Sequence, residues 1–379
     1  MFDPLHPWFG QHKPCYQRSN CPGFGERPQD SGKNRQTLEK QNPERINMEA
    51  SSSCVGMSVL ITGGAGFIGS NLADEFVARG AHVVVLDNLL TGYMANIEHL
   101  MGHPAFTFIK GDIRDLETCH RAVKGCTHVC HQAALGSVPR SIDDPLLSLN
   151  INVMGTANVF FAAKEAGVKR IVYASSSSVY GDDPTLPKLE HLTGSLLSPY
   201  ASSKRSVEMI QQAFVASYDI EIIGFRYFNV FGKRQDPHGP YAAVIPKFID
   251  SLLSGQAPTI FGNGEQSRDF THISNVIQGN GLALTAADVS ALNGNVANLA
   301  FGGTTSVNDL YFGIRQALAS HVPATASIEP LYAAPRKGDI LHSHANIERV
   351  KSALNYAPST PLQEGLDKTI AWYLEHSVS

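Results

Sequence analysis

From Met57 onward, short apolar runs alternate with segments whose apolar residues recur every three or four positions. That alternation is the pattern of strands and helices in βαβ units, and so of a parallel sheet. The runs are SVLIT, HVVVLD, FTFIKG, THVCHQAA, RIVYASS and IEIIGFRY, each rich in branched residues and bounded by Gly, Pro or polar residues. Between the first two, Ile68, Leu72 and Phe76 repeat at four-residue spacing and Gly80 follows, which predicts a helix with a glycine stop. The expectation is an α/β fold with a doubly wound parallel sheet of Rossmann type over 57–233. After about residue 233 the alternation gives way to Pro- and Gly-rich loops, short helices such as VIPKFIDSLLSG and isolated strands. This predicts a smaller mixed α/β domain over 234–379 that completes a cleft, with segments near 270–303 returning to the first domain. Residues 1–56 are rich in Pro, Gly, Ser, Gln and charge and show no period, so they read as a disordered extension ahead of Met57. No internal repeat is visible.

Composition narrows the class. With 379 residues, 43% of them hydrophobic and 17% charged, the chain can bury a sizeable core. A net charge of -4 and a pI of about 6.4 supply no overall positive field for nucleic acid or an anionic membrane. Phosphate binding must therefore be local. No uninterrupted apolar run approaches the roughly 18–20 residues of a membrane span. The six cysteines, Cys15, Cys21, Cys54, Cys119, Cys126 and Cys130, follow no secretory segment, which points to reduced thiols in a soluble, cytoplasmic protein.

The segment ITGGAGFIGS sets Gly63, Gly66 and Gly69 directly after the first strand and at the mouth of the first helix. Glycine suits a tight turn, a close backbone approach to a pyrophosphate, and a helix packed on the sheet. The helix N-terminus adds amide donors and the positive end of its dipole. Asp87 closes the second strand, where a carboxylate can accept from the adenine ribose hydroxyls. No arginine follows directly in LDNLLTG, which favours NAD over NADP.

In SPYASSKRS, Tyr200 and Lys204 stand four apart behind Pro199 and project from one helix face. On spacing alone the pair reads as an ordinary solvated helix face. Its place on the first turn, where ligands meet such sheets, and the implied cofactor give the second reading, an acid/base pair. A tyrosine with an unperturbed pKa of about 10 is a poor base until a nearby cation favours its phenolate. Lys204 is such a cation. The run Ser175–Ser178 that ends RIVYASSSSVYG is either a polar strand-to-loop transition or a source of a hydroxyl that relays a proton beside Tyr200. Cys126, His128 and Cys130 fall on one strand face in CTHVCH, but the spacing matches no usual zinc site and the strand should be buried. They are expected to be core residues, and no metal is expected.

The motifs TGGAGFIGSNL, LDNLLTG, GDIRD, HQAALGSVPRS, NVMGTAN, SSSSVYGD, YASSK, RYFNVFG and SRDFTHI together resemble the extended short-chain dehydrogenase/reductase family, and within it the nucleotide-sugar 4-epimerases. The resemblance runs from Met57 to the end. It makes Tyr200 the base, Lys204 its partner and Ser176, by its distance to VYG, the catalytic serine. It gives NAD a site built from Gly63, Gly66, Phe67, Ile68 and Gly69, with Asp87 and Asn88 beside them. Asp112 and Ile113 then line the adenine pocket; Gln132, Ala133, Ala134, Asn152 and Tyr227 complete the cofactor set.

The same resemblance discriminates among relatives. Dehydratases of the family carry Asp-Glu after the catalytic hydroxyl residue and decarboxylases keep a glutamate; here those places hold Ser177 and Ser178, which points to an epimerase. Arg336, Asp339 and Arg268 match the family's diphosphate and ribose contacts of a UDP-sugar, and forked guanidinium groups suit phosphate oxygens. Ser343 stands where epimerases restricted to unacetylated hexoses carry a tyrosine, so the subgroup most resembled acts on UDP-N-acetylglucosamine. The uronate of that sugar and plain UDP-glucose remain alternatives, as does a non-catalytic NAD sensor on the same fold. Gly136, Ser137, Asn229, Gln235, Ala243 and Val244 are the remaining implied sugar or uridine contacts. The family also pairs the helix at NVFFAAKEA and the Tyr200 helix with a partner's copies in a four-helix bundle, which implies a homodimer.

Overall fold

The computed structural model describes residues 53–237, 242–335 and 340–376. Its centre is a seven-stranded sheet whose first six strands are β1 (Ser58–Thr62), β2 (His82–Asp87), β3 (Phe106–Lys110), β4 (His128–His131), β5 (Arg170–Ser176) and β6 (Glu221–Tyr227). The seventh is Val296–Leu299, paired with Gly224–Tyr227 of β6. All pairings are parallel, with β1 between β2 and β4 and the later strands added outward through β5 and β6. The order reverses at β1, and in such sheets ligands bind beyond the carboxyl ends of the strands at that reversal.

The strands are apolar on both faces because helices cover both. On one side Leu72 and Phe76 of α1 (Phe67–Ala78) pack with Val59, Ile61, Val83 and Val85. On the other, α2 (Leu116–Val123), α3 (Thr156–Glu165) and α4 (Pro199–Ser217) contribute Val123, Phe160 and Val207 against Leu60, Leu86 and Ile171. The helix predicted from Ile68, Leu72 and Phe76 forms as expected, and Gly80 just past its end takes φ +84°. Helix α5 (Ile273–Thr285) then lies against α1 and shares its core.

Two expectations need adjusting. The run THVCHQAA pairs only over His128–His131, because the chain leaves the sheet at Gln132 to enter the cleft. The stretch Pro145–Glu165 forms a continuous helical segment with mean hydropathy 1.4, long and apolar enough by composition to cross a membrane. Half of it is buried in this fold, where Ile151, Val159, Phe160 and Ala163 belong to the core on that sheet face. A one-turn π-helical segment, Asn150–Gly155, interrupts it. Such bulges often mark functional positions.

Cys126, His128 and Cys130 are buried, and His128 bonds through Nδ1 to Thr127 Oγ1 at 2.8 Å. Cys54, Cys119, Cys126 and Cys130 are free thiols; burial pushes those of Cys119 and Cys130 up to about 12. Cys15 and Cys21 lie outside the described residues with positions 1–52 of the expected N-terminal extension, but its last four positions are ordered: Cys54 is buried in the core beside the sheet and donates its N–H to Arg79 O at 2.9 Å.

Beyond the sheet, a third core gathers Phe248, Ile249 and Leu252 of the helix Val244–Leu253 with Leu310, Tyr311 and Ile314 of the helix Val307–Ala319. Very short strands join this region. Ser267–Arg268 pairs with both Thr305–Ser306 and His342–Ser343.

Candidate active site

A cleft of about 670 Å³ opens at the carboxyl ends of β1, β2, β4, β5 and β6. Its floor is the glycine loop. Gly63 has φ +68°, and a Cβ there would stand 2.7 Å from the Ala133 backbone. At Gly69 a Cβ would stand 2.2 Å from the Gly63 carbonyl oxygen, so no side chain fits between loop and helix. Gly66 caps α1 from an extended conformation. Phe67 and Ile68 line the cleft beside the three glycines.

Asp87 is fixed before any ligand arrives. Its Oδ2 accepts the Ala65 N–H at 2.9 Å and its Oδ1 the Leu89 N–H at 2.8 Å. Burial raises its pKa and these two bonds pull it back. A carboxylate has lone pairs left for hydroxyl donors. Asn88 donates to Asp112 Oδ2 at 2.8 Å. Arg114 holds Asp112 in a two-point bond, and mainly for that reason the carboxyl lies at about 2, below the usual range. Asp112 and Ile113 both face the cleft.

Gln132, Ala133 and Ala134 line the opposite side, with Gly136 and Ser137 after them. Tyr227, from the end of β6, donates to Gln132 Oε1 at 3.2 Å and accepts from Asn280 Nδ2 at 2.9 Å. Asn152 stands behind this wall and does not line the cleft. Its amide accepts the Leu135 N–H at 2.7 Å and donates to Leu135 O and to Ser203 Oγ at 3.2 and 3.0 Å. It thereby fastens the loop after β4 to α4.

Helix α4 begins where its capping chemistry requires. Ser198 Oγ accepts the Ala201 N–H at 3.1 Å and Pro199 occupies the first turn. Tyr200 and Lys204 therefore sit on the first two turns, beside β5. Lys204 donates from Nζ to Ala174 O at 2.8 Å and lies 6.0 Å from the centre of the Tyr200 ring. Burial brings the ammonium down to about 8, partly offset by Glu208. Burial raises the Tyr200 phenol and a hydrogen bond with Ser176 lowers it. The two readings of the Tyr–Lys pair separate here, because Lys204 is buried against the end of β5 and is no solvated surface cation.

The serine run divides its work. Ser175 Oγ donates to Glu208 Oε1 at 2.6 Å. Ser176 meets Tyr200 and caps the turn Ser177–Tyr180 by accepting the Ser178 N–H at 3.1 Å. Ser177 lines the cleft, whereas Ser178 Oγ is buried and has no hydrogen-bond partner among the described residues.

Of the other implied sugar and uridine contacts, Asn229, Gln235 and Ala243 line the cleft and Val244 starts the helix just beyond it. Ser137 and Asn229 hold φ +131° and +33° without being glycine, a strain found where a site fixes its backbone. Arg268 and Ser343 face each other in strand register and stand outside the cleft lining. Arg336 and Asp339 lie outside the described residues. Arg140, on the short helix Val138–Asp143, and Asp236, which accepts from Tyr93 Oη at 2.6 Å, also line the cleft and were not singled out by the sequence.

Residues 59–300 match the model of the NAD dependent epimerase/dehydratase family. The chain belongs to that family. Its cofactor is NAD, and the glycine cradle, in which a Cβ at Gly63 or Gly69 would collide with backbone, fits a pyrophosphate. The UDP-glucose 4-epimerase of Mycolicibacterium smegmatis is 36% identical over 323 residues, covering 85% of this chain and all of that one. A solved structure of UDP-N-acetylglucosamine 4-epimerase from Methanobrevibacter ruminantium, in complex with UDP-N-acetylmuramic acid, superposes with a TM-score of 0.79 at 36% identity, covering 85% of this chain and 99% of that one. The UDP-glucose 4-epimerase of Thermus thermophilus, solved with NAD, gives a TM-score of 0.73 at 32% identity, covering 84% and 99%.

Proposed function

We propose that this family member catalyses the reversible 4-epimerisation of a UDP-sugar, with UDP-N-acetylglucosamine and UDP-N-acetylgalactosamine as the substrate pair. The observation that carries the reading is the arrangement of Tyr200, Lys204 and Ser176 at one end of the cleft, with serines and no acid at positions 177 and 178. Bound NAD supplies the acceptor, and then the donor, of the hydride at sugar carbon 4.

The protein's own part is proton transfer and orientation. Lys204 favours the Tyr200 phenolate, which accepts the proton of the 4-hydroxyl. Ser176 donates to the same oxygen as it becomes a ketone. After the 4-keto sugar turns over within the cleft, Tyr200 returns the proton to the oxygen at the inverted centre. Loss of water or carbon dioxide needs a further acid or base, and Ser177 and Ser178 supply none.

The acetylated substrate is the finer part of the proposal. It is supported by likeness to the archaeal epimerase; a plain hexose is the second reading, favoured by the Mycolicibacterium relative. We read the protein as a cytoplasmic homodimer joined through α3 and α4. Exposed Ile142, Leu146, Met154 and Met209 on the helical surface around them support this, and a monomer in light scattering at micromolar concentration would contradict it. The purified protein, given UDP-N-acetylglucosamine, its uronate or UDP-glucose without added cofactor, is expected to form the 4-epimer of the first most readily by proton NMR. Preference for another sugar overturns the substrate assignment, and conversion of none overturns the activity.

A further inference from the structure

Behind the catalytic pair, and outside the cleft lining, α4 carries a buried carboxylate that the chemistry above does not use. Glu208 lies one helical turn beyond Lys204 and two beyond Tyr200, so the three share a face. Its four hydrogen bonds account for both oxygens. Oε1 accepts from Ser175 Oγ at 2.6 Å and Arg226 Nε at 2.9 Å; Oε2 accepts from Arg226 Nη2 and Arg205 Nη1, both at 2.8 Å.

Three successive residues of β5 are thus tied to three successive turns of one helix. Ala174 O takes the Lys204 ammonium, Ser175 takes Glu208, and Ser176 meets Tyr200. A fourth anchor comes from the next strand, since Arg226 of β6 is the register partner of Ser175. Arg226 is fully buried, gives its remaining Nη1 to Glu190 O at 3.0 Å, and stacks 4.7 Å from the centre of the Tyr180 ring. The charged and titratable groups around Glu208 are Lys204 and Arg205 on its own helix, Arg226 on β6 and Tyr173 on β5, with Glu190, His191 and Arg349 lining the same small cavity.

We propose that Glu208 is a positioning residue of the catalytic centre: its carboxylate fixes the end of β5 against α4, so that Ser176 and Tyr200 share one oxygen of the substrate, and it supplies the negative charge behind Lys204. The inference rests on the proposed epimerase chemistry for its kinetic consequence but not for its electrostatic one. A group misplaced by about 1 Å costs up to ~100-fold in rate, and an opposite charge one helical turn away supports the ammonium.

The test uses the NAD-loaded protein and two variants. Glu208→Gln removes the charge while keeping the shape; Ser175→Ala, at a residue that also lines the cleft, removes the tie to β5 and leaves the Glu208–Arg226 pair intact. In protein labelled with carbon-13 at the lysine ε-carbon, with the Lys204 signal assigned by its loss in Lys204→Met, the titration midpoint of Lys204 is expected to fall by about one pH unit in Glu208→Gln. It should stay in place in Ser175→Ala. With a UDP-sugar, both variants should lose about tenfold or more in kcat at little-changed KM. An unmoved Lys204 midpoint in folded Glu208→Gln overturns the charge role whether or not any sugar is turned over. Should Glu208→Gln fail to fold, wild-type kcat in Ser175→Ala overturns the positioning role. An inactive wild type would instead strike at the epimerase reading alone.

Discussion

Lys204 holds its ammonium 6.0 Å from the centre of the Tyr200 ring while donating to the Ala174 carbonyl at 2.8 Å. The lysine is therefore anchored on the strand that ends in Ser176, and its charge reaches the phenol from a fixed point. Burial sets that charge to disappear near pH 8. Below this pH the ammonium supports the phenolate; above it the support is withdrawn. The kcat profile is accordingly expected to fall on the alkaline side near pH 8. Lys204→Met should lose about 100-fold or more in kcat and retain NAD, as read from steady-state rates and the cofactor released on denaturation. A variant with wild-type kcat across this range would contradict the role.

The glycine loop predicts a different failure. A methyl group at position 69 would meet the Gly63 carbonyl oxygen at 2.2 Å, which neither backbone can relieve cheaply. Gly69→Ala should lose roughly 1–3 kcal/mol of stability and most of its bound NAD. Thermal unfolding with and without excess NAD checks this. A variant that keeps its cofactor and melting temperature would show that the loop has more room than its geometry implies.

Asp269 gives a prediction about acid stability. Its Oδ2 accepts the Gly302 and Ala345 N–H groups at 3.0 and 3.3 Å, yet burial raises the carboxyl from 3.8 to about 6. The folded state then holds the proton through a range where the unfolded state has released it. Its contribution to stability is full below about pH 4 and lost as pH rises through 6. Asp269→Asn should remove that slope from the melting temperature between pH 4 and 6, measured against wild type. An unchanged slope would show that the group titrates normally.

The sequence made the central sheet legible because its strands are buried on both faces and read as unbroken branched apolar runs. The glycine loop was legible for a steric reason, as only glycine fits at 63 and 69. Tyr200 and Lys204 were legible as a pair, but only the burial of Lys204 against Ala174 separates that pair from a solvated helix face. The expected strand overran the end of β4, because Gln132, Ala133 and Ala134 continue its mix of small and alternating residues while serving the cleft. Strands of two residues, such as Ser267–Arg268 and His342–Ser343, leave no period to read. Glu208 was invisible for a related reason: its partners Ser175 and Arg226 lie 33 and 18 residues away, and only the strand register brings them together. Asn152, expected among the cofactor residues, turns its bonds to Leu135 and Ser203 and not into the cleft.

In the proposed reaction hydride leaves and returns to the same carbon while Tyr200 handles the proton. UDP-N-acetylglucosamine carrying deuterium at carbon 4 tests it most directly, incubated with the purified protein in ordinary water and followed by proton and deuterium NMR. The expected product is the 4-epimer with the deuterium retained on carbon 4, with none formed by Tyr200→Phe. Exchange of that deuterium with solvent, or retained turnover in Tyr200→Phe, would contradict it.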